Sequence, residues 1–227
     1  MNNEMKAVVL LSGGLDSATA LAWALNQGWL CTTLSFNYGQ RHDVELQASK
    51  DIANVYGIQD HRVIDVSLGV IGGSALTTAL EVPKDLPESK DIPVTYVPAR
   101  NLVFLSLAAG LAETVGAMKI VIGANVVDYS GYPDCRSDFL SAFETVANLG
   151  TKAGHEGHRF EVVAPLIRLN KSEIIRLGLS LGVDYGLTRS CYDPDKQGKP
   201  CGHCDSCRFR QEGFDKLGKK DPLIYAE

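Results

Sequence analysis

The fold of this chain is decided by the stretch Lys6-Ala-Val-Val-Leu-Leu-Ser-Gly-Gly-Leu-Asp-Ser17, in which an apolar run passes directly into a glycine loop. A continuous apolar run is typical of a strand that is covered on both faces. From Leu15 the apolar residues recur at helical spacing as far as Gly28, a residue that commonly ends a helix. The sequence therefore predicts a buried strand, a glycine turn and a helix.

Strand and helix patterns continue to alternate along the chain. Further strands are predicted at residues 31–36, 62–66, 119–123 and 160–163. Further helices are predicted at 44–56, 101–115 and 139–149, and a capping box of Asn170 and Glu173 opens a last helix that ends near Gly182. Because strands that alternate with helices form parallel sheets, we expect an α/β, Rossmann-like three-layer fold with a mostly parallel sheet of about five strands.

The segment 67–98 interrupts this alternation with glycines, prolines and mixed charges. It is too long for a simple connection between two elements of a single domain. We therefore expect it to serve as a lid or as a substrate-binding loop.

Composition and charge narrow the class of protein. The chain of 227 residues is 45% hydrophobic, which indicates a folded globule. Its net charge of −5 lacks the basic excess that binds a phosphate backbone, so we expect small-molecule substrates rather than nucleic acid. The longest apolar stretch, 102–112, is shorter than the roughly 20 residues of a membrane span, and no export signal is present. We expect a cytoplasmic protein without membrane contact.

Four of the six cysteines lie in the segment 191–207, namely Cys191, Cys201, Cys204 and Cys207. Four thiolates at this spacing predict one structural zinc ion with a closed tetrahedral shell. An iron–sulfur cluster is the alternative, although Cys207 is not followed by the further cysteine and proline of the ferredoxin pattern. His203 could also replace one thiolate. We predict an α/β domain over 1–189, which includes the glycine loop, and a zinc-binding segment over 190–227 that packs on it.

The glycine loop has the residues of an anion-binding site. Backbone N–H groups of Gly13 and Gly14 and the start of the following helix favour a phosphate, and Ser12 and Ser17 can add hydroxyl donors. The chain contains no G-x-x-x-x-G-K-[ST] motif, and Asp16 stands where such a loop would have lysine. A carboxylate there suggests a Mg²⁺ ion shared with ATP. A tight turn without a ligand is the alternative interpretation.

Polar residues follow several predicted strands, where open α/β sheets bind ligands. They include Tyr38 and Gln40 after the second strand, Arg100 and Asn101 after the long loop, and the run from Asp128 to Arg136 after the fourth strand. That run contains Tyr132 and Asp134. A solvated loop explains such a mixture as well as a pocket does, but the shared position favours a pocket for a planar polar ligand.

The string 12–17 resembles the PP-loop of the adenine-nucleotide α-hydrolase superfamily, whose members adenylate carbonyl oxygens and release pyrophosphate. The chain as a whole resembles the 7-cyano-7-deazaguanine synthase family of queuosine biosynthesis. The matching segments are 12–17, 36–42, 95–101, 128–136, 171–174, 190–192 and 200–207. The resemblance implies a carbon–nitrogen ligase that converts 7-carboxy-7-deazaguanine, ammonia and ATP to the nitrile through an adenylated acid and an adenylated amide.

The resemblance also implies roles for particular residues. Asp16, Arg100 and Lys171 are expected to be catalytic. The ATP-binding set is Leu10, Leu11, Ser12, Gly13, Gly14, Leu15, Asp16, Ser17, Ala18, Thr19 and Ala20. The substrate-binding set is Tyr38, Gln40, Arg100, Asn101, Asp128, Tyr132, Asp134 and Arg136, with Asp134 reading the amino edge of the base. A homodimer is expected from the family.

Three other functions share part of this pattern. A PP-loop tRNA sulfurtransferase would need an RNA-binding surface and a reactive cysteine, whereas this chain is acidic and its cysteines cluster. A glutamine-dependent amidotransferase would need a nucleophilic cysteine near the N-terminus, where residue 2 is Asn. A nucleotide-sensing zinc module would bind ATP without forming AMP.

Overall fold

The computed structural model describes residues 4–40, 44–85, 91–127 and 132–226. In these ranges the strands are β1 (Lys6–Leu10), β2 (Leu30–Asn37), β3 (His61–Asp65), β4 (Lys119–Val121) and β5 (Glu161–Val163). The helices in the same ranges are α1 (Leu15–Asn26), α2 (Val44–Val55), α3 (Arg100–Val115), α4 (Ser137–Gly150), the single turn α5 (Lys152–His155), α6 (Lys171–Ser180) and α7 (Asp205–Lys216). None of these described helices is long and apolar enough to cross a membrane.

The strands form one parallel sheet in the order β3-β2-β1-β4-β5. Ala7 of β1 pairs with Cys31 of β2 on one side and with Lys119 of β4 on the other. The predicted parallel sheet of five strands is confirmed, and every predicted strand is present within a few residues of its expected bounds. Because the strand order reverses at β1, the carboxyl ends of β1 and β4 border the crevice in which such sheets bind ligands.

Alternate residues of β1 face two separate apolar layers. Val8 lies in a cluster with Leu105 of α3, on one face of the sheet. Val9 lies in a second cluster with Leu21 of α1 and Ile174 of α6, on the other face. Both faces of the sheet are therefore covered by helices, which explains why the sequence of β1 is a continuous apolar run.

Gly123, just beyond β4, allows the sheet to approach the start of α1. A Cβ atom at this position would lie 2.9 Å from the backbone carbon of Asp16 and 3.0 Å from the backbone nitrogen of Ser17. Both neighbours are main-chain atoms of the glycine loop, so they cannot rotate away. The backbone just after β4 thus packs directly against the backbone of the glycine loop.

The segment 190–227, called the cysteine segment below, carries a helix that was not predicted from the sequence. This helix, α7, packs against α6, where Gly213 leaves room for the side chains of Lys171 and Ile175. Arg210 of α7 is buried and donates hydrogen bonds to both carboxylate oxygens of Asp221. Arg210 also donates to the hydroxyl of Thr188. The division into 1–189 and 190–227 stays a prediction.

The described parts of the segment 67–98 lie against the rest of the molecule. Ala75, Leu76 and Val97 are buried in the core on the α3 side of the sheet. Lys84 forms an ion pair of 2.9 Å with Asp193, so this segment also contacts the cysteine segment. Its predicted role as a lid or substrate loop remains a prediction, although Leu76 lines the cavity described below.

Gly123→Ala should destabilise the fold, because the added methyl group meets backbone atoms of residues 16 and 17. Overpacking of this kind costs about 1–3 kcal/mol in the free energy of unfolding. Gly110→Ala is the matched control: it lies in α3 with no atom within 4 Å of the added Cβ, and it should stabilise by roughly 0.5–1 kcal/mol. Urea unfolding of both variants measures the difference, and equal midpoints would contradict the close contact.

Candidate active site

The glycine loop has one conformation that a larger residue could not adopt. Gly13 has a φ of +90°, and a Cβ there would lie 2.2 Å from the backbone oxygen of Glu45 on α2. The hydroxyl of Ser17 accepts a hydrogen bond from the Ser12 N–H at 3.2 Å and lies 3.0 Å from the Ser12 hydroxyl. Gly14 precedes α1 and has no side chain to cap it, so the first N–H groups of α1 are available to a bound anion.

Asp16 and Lys171 form an ion pair beside this loop. The Lys171 amine lies 2.7 Å and 2.8 Å from the two carboxylate oxygens of Asp16, and the Asn125 amide donates to one of them at 3.4 Å. The Lys171 side chain is only 7% exposed. Its position is fixed because it is the first residue of α6, whose predicted capping box of Asn170 and Glu173 is confirmed.

A cavity of about 230 Å³ opens at the carboxyl ends of the strands, next to this pair. Its wall is formed by residues of the glycine loop, of the strand ends and of the cysteine segment. The side chains and loop atoms that carry chemistry there are Ser12, Gly14, Asp16, Ser17, Tyr38, Gln40, Glu45, Arg100, Asn101, Asn125, Tyr132, Cys135, Lys171, Ser190, Cys191, Tyr192, Ser206 and Arg210. The cavity lies where the topology of the sheet predicts a ligand crevice.

The predicted ATP-binding residues divide into two groups. Leu10, Leu11, Ser12, Gly14, Leu15, Asp16 and Ser17 line the cavity. Gly13 contacts α2 instead, and Ala18, Thr19 and Ala20 are completely buried inside α1. The Thr19 hydroxyl is hydrogen-bonded to Tyr185 at 2.8 Å. The structure therefore gives these last four residues a part in supporting the loop, and their contact with ATP remains a prediction.

Among the predicted substrate residues, Tyr38, Gln40, Arg100, Asn101 and Tyr132 line the cavity. One carboxylate oxygen of Asp134 accepts the backbone N–H of Asn101 at 3.0 Å, so Asp134 caps the start of α3, and its contact with the base stays a prediction. The cavity-lining residues do not include Asp134 or Arg136, and Arg136 is exposed. Asp128 lies outside the described residues.

Arg100 begins α3 and adds a positive charge to the lining of the cavity, as Lys171 does. The preceding residue, Ala99, has a φ of +56°, a left-handed conformation that costs roughly 1–2 kcal/mol for a residue other than glycine. The Arg100 guanidinium lies 6.0 Å from the centre of the Tyr38 ring. Burial raises the pKa of Tyr38 to about 12, so this phenol stays protonated as a hydrogen-bond donor.

The four predicted metal ligands come together. The sulfur atoms of Cys191, Cys201, Cys204 and Cys207 all lie within 4.8 Å of one another, and those of Cys191 and Cys204 are 4.0 Å apart. Four sulfurs at about 2.3 Å from a zinc ion would be separated by roughly 3.8 Å, so the cluster fits a tetrahedral zinc. His203 does not belong to this group: its ring nitrogen contacts the carboxylate of Asp85 at 3.1 Å.

Several lining residues were not predicted from the sequence. The sequence pattern places Glu45 only in a helix. Its position at the start of α2, after the end of a strand, is a signal that could have marked it as a cavity residue. Arg210 was missed because the helical spacing of Cys207, Arg210 and Phe214 was not recognised in the cysteine segment. Asn125, Tyr192 and Ser206 carry no local pattern that marks them.

The fold and the loop define the class of protein: a PP-loop nucleotide-binding protein of the Rossmann-like type. The structure is similar to a 4-thiouridine synthetase solved with RNA and bound ATP, with a TM-score of 0.54, 24% identity, and coverage of 93% of this chain and 53% of that one. It is also similar to the NMN synthetase of Francisella tularensis, with a TM-score of 0.52, 17% identity, and coverage of 96% and 78%. At such identities the similarity concerns the fold alone.

The chain belongs to the family described as queuosine biosynthesis protein QueC, whose family model matches residues 6–218. It is 58% identical to the 7-cyano-7-deazaguanine synthase of Myxococcus xanthus, over 98% of both chains. It is 59% identical to the 7-cyano-7-deazaguanine synthase of Azotobacter vinelandii, over 98% of this chain and 99% of that one. The similarity extends far beyond the ATP loop, and the predicted family is confirmed.

If the four sulfurs hold a metal ion, Cys204→Ser should abolish its binding and lower the melting temperature by about 10 °C or more, because the ion would link residue 191 to residues 201–207. Cys31→Ala, in β2 and outside the cluster, is the control and should keep one metal ion per chain. Elemental analysis and thermal unfolding measure both effects. Full zinc content with an unchanged melting temperature in Cys204→Ser would contradict a structural zinc site, and iron in the native protein would favour the cluster alternative.

Proposed function

We propose that the chain is an ATP-dependent carbon–nitrogen ligase that converts 7-carboxy-7-deazaguanine and ammonia to 7-cyano-7-deazaguanine, with release of AMP and pyrophosphate. The full-length similarity to synthases of that name supports the substrate. The observation on which the chemistry depends is the Asp16–Lys171 pair beside an uncapped helix start, at a cavity that Arg100 also lines. Phosphates and a carboxylate can be held together there.

The first half of the reaction forms an amide. A carboxylate is a poor electrophile, so its oxygen attacks the α-phosphorus of ATP, and pyrophosphate leaves. The start of α1 with Ser12 and Ser17 holds the departing pyrophosphate, and Lys171 offsets negative charge at the α-phosphate. Ammonia then displaces AMP from the acyl carbon.

The second half converts the amide to the nitrile at the same loop. The amide oxygen attacks a second ATP, and AMP leaves with that oxygen while the C≡N bond forms. Because both halves place a carbonyl oxygen against an α-phosphate, one loop and one lysine serve both. Arg100 and the tyrosines beside it are suited to hold the deazaguanine through both steps.

The proposed enzyme would bind two kinds of metal ion at two different sites. Mg²⁺ would be shared between Asp16 and the ATP phosphates, where it would neutralise charge; both Asp16 oxygens also accept hydrogen bonds from Lys171. Zinc would be held by the four cysteines and keep the wall formed by Cys191 and Tyr192 in place. A homodimer and a cytoplasmic location are further parts of the proposal, which the family suggests.

A tRNA sulfurtransferase is disfavoured by the cysteines. Sulfur transfer needs a thiolate, and four of the six cysteines form the cluster. Burial raises the pKa of Cys31 and that of Cys135 to about 12, so neither is poised as a nucleophile.

Incubation with ATP, ammonium and 7-carboxy-7-deazaguanine should yield the nitrile and two AMP per nitrile, as read by mass spectrometry and chromatography. Two AMP are expected because each half-reaction consumes one ATP at its α-phosphate. ADP as the nucleotide product would contradict the proposal, and so would ATP binding without any turnover.

Lys171→Met should keep the packing against α7 and remove the charge beside Asp16. We expect kcat to fall by about 100-fold or more, the loss typical of a group that stabilises transition-state charge. Lys152→Met is the control, because Lys152 is exposed, and should retain full activity. Pyrophosphate release measures both variants, and unchanged release by Lys171→Met would exclude the assigned role.

A further inference from the structure

Glu45 lies in the candidate active site but has no role in the reaction steps proposed above. It lies in the first turn of α2 and lines the cavity. Its backbone oxygen contacts the glycine loop at Gly13, so the residue is fixed relative to the ATP-binding loop. The backbone of Glu45 is therefore held next to the phosphate-binding loop.

The cavity is poor in available carboxylates. Within the described part of the chain, Asp16 and Glu45 are the acidic residues that line it. Asp16 is occupied by two hydrogen bonds from Lys171. Glu45 differs, since no described residue donates a hydrogen bond to its carboxylate. Of the two carboxylates, that of Glu45 is therefore the one with no donor among the described residues, and it can receive a cation other than the Mg²⁺ proposed for Asp16.

The proposed reaction requires such a group in its first half. Most of the nitrogen substrate is ammonium at neutral pH, and ammonium has no lone pair with which to attack. It must be bound beside the acyl adenylate and must lose a proton there. A carboxylate supplies both the attraction for the cation and the acceptor for the proton.

We propose that Glu45 is the ammonium-binding residue and the general base that releases ammonia for attack on the acyl adenylate. This inference rests on the proposed function of the same site. Ammonium gives one proton to the Glu45 carboxylate, and the freed lone pair forms the C–N bond at the acyl carbon. The C–O bond to AMP breaks and AMP leaves with its electron pair. The nitrogen loses its second proton to water, and the protonated Glu45 returns its proton to solvent.

The electrostatic surroundings of Glu45 suit this task. Burial raises the pKa of Glu45 to about 7, against the opposing effect of Arg100. A base whose pKa lies near the working pH is well matched to proton transfer. Glu45 also lines the cavity beside the glycine loop, and no described residue donates a hydrogen bond to its carboxylate.

Two other roles for Glu45 are separable from this one. It could read the N–H edge of the deazaguanine, or it could serve as a partner that holds Arg100 in place. Either role would be needed equally in both halves of the reaction, because the base and Arg100 are used in both. Ammonium enters only the first half. The protons lost in the second half come from an activated, positively charged nitrogen and are acidic enough to go to water.

Glu45→Gln tests the proposal with the two halves measured separately in the full-length protein. With the carboxylate substrate, kcat/KM for ammonium in amide formation should fall by about 100-fold, which is the usual contribution of a general base. From the synthetic amide, nitrile formation should stay within roughly 3-fold of the native rate, as no general base is removed from that step. Glu45→Asp should recover part of the first activity, and Asp51→Asn, an exposed change on the same helix, should alter neither.

The outcomes separate the hypotheses. Selective loss of the ammonium-dependent half supports the proposal, and turnover of the amide by the same variant shows that it is folded. Equal loss of both halves would overturn the proposal in favour of base recognition or a structural role. Unchanged activity in both halves would also overturn it. Failure of the native protein to turn over either substrate would instead remove the proposed function on which this inference rests.

Discussion

Lys171 lies with its amine between the two carboxylate oxygens of Asp16, and this buried ion pair connects the parts of the molecule that the chemistry needs. Asp16 belongs to the first turn of α1, whereas Lys171 begins α6 and its aliphatic stem contacts α7 at Gly213. A buried charge without its partner is costly, so the two helix starts are held in one arrangement. The Lys171 side chain thereby connects the glycine loop to the cysteine segment.

The same arrangement explains how one cavity can serve a reaction with two adenylations. The loop is held by close backbone contacts at Gly13 and Gly123, which favours one arrangement of its N–H groups for both adenylations. Arg100 and Glu45 lie on the remaining walls with opposite charges. Substrate and nitrogen source can therefore be exchanged while the ATP site keeps its shape. The cysteine segment contributes Cys191 and Tyr192 to the wall, which links metal binding to the site without placing the metal in the chemistry.

Much of the fold could be predicted, because buried strands and amphipathic helices have local periodic patterns. The parallel sheet, the glycine loop and the capping box at Asn170 follow from such patterns, and the four cysteines meet as their spacing indicates. The direction of a loop side chain has no such pattern. Asp134 therefore looked like a ligand-binding carboxylate but caps α3, while Glu45 looked like an ordinary helix residue but faces the cavity. The helix α7 could not be recognised from its sequence because its buried face includes a cysteine, Cys207, and a buried arginine, Arg210.

The central claim is that the loop at Asp16 directs carbonyl oxygens to the α-phosphate of ATP, twice in one reaction. It is tested most directly with 7-carboxy-7-deazaguanine whose two carboxylate oxygens are both oxygen-18. Complete conversion to the nitrile should place one labelled oxygen in each of the two AMP molecules and none in pyrophosphate. Unlabelled AMP, or label in pyrophosphate or inorganic phosphate, would contradict the claim.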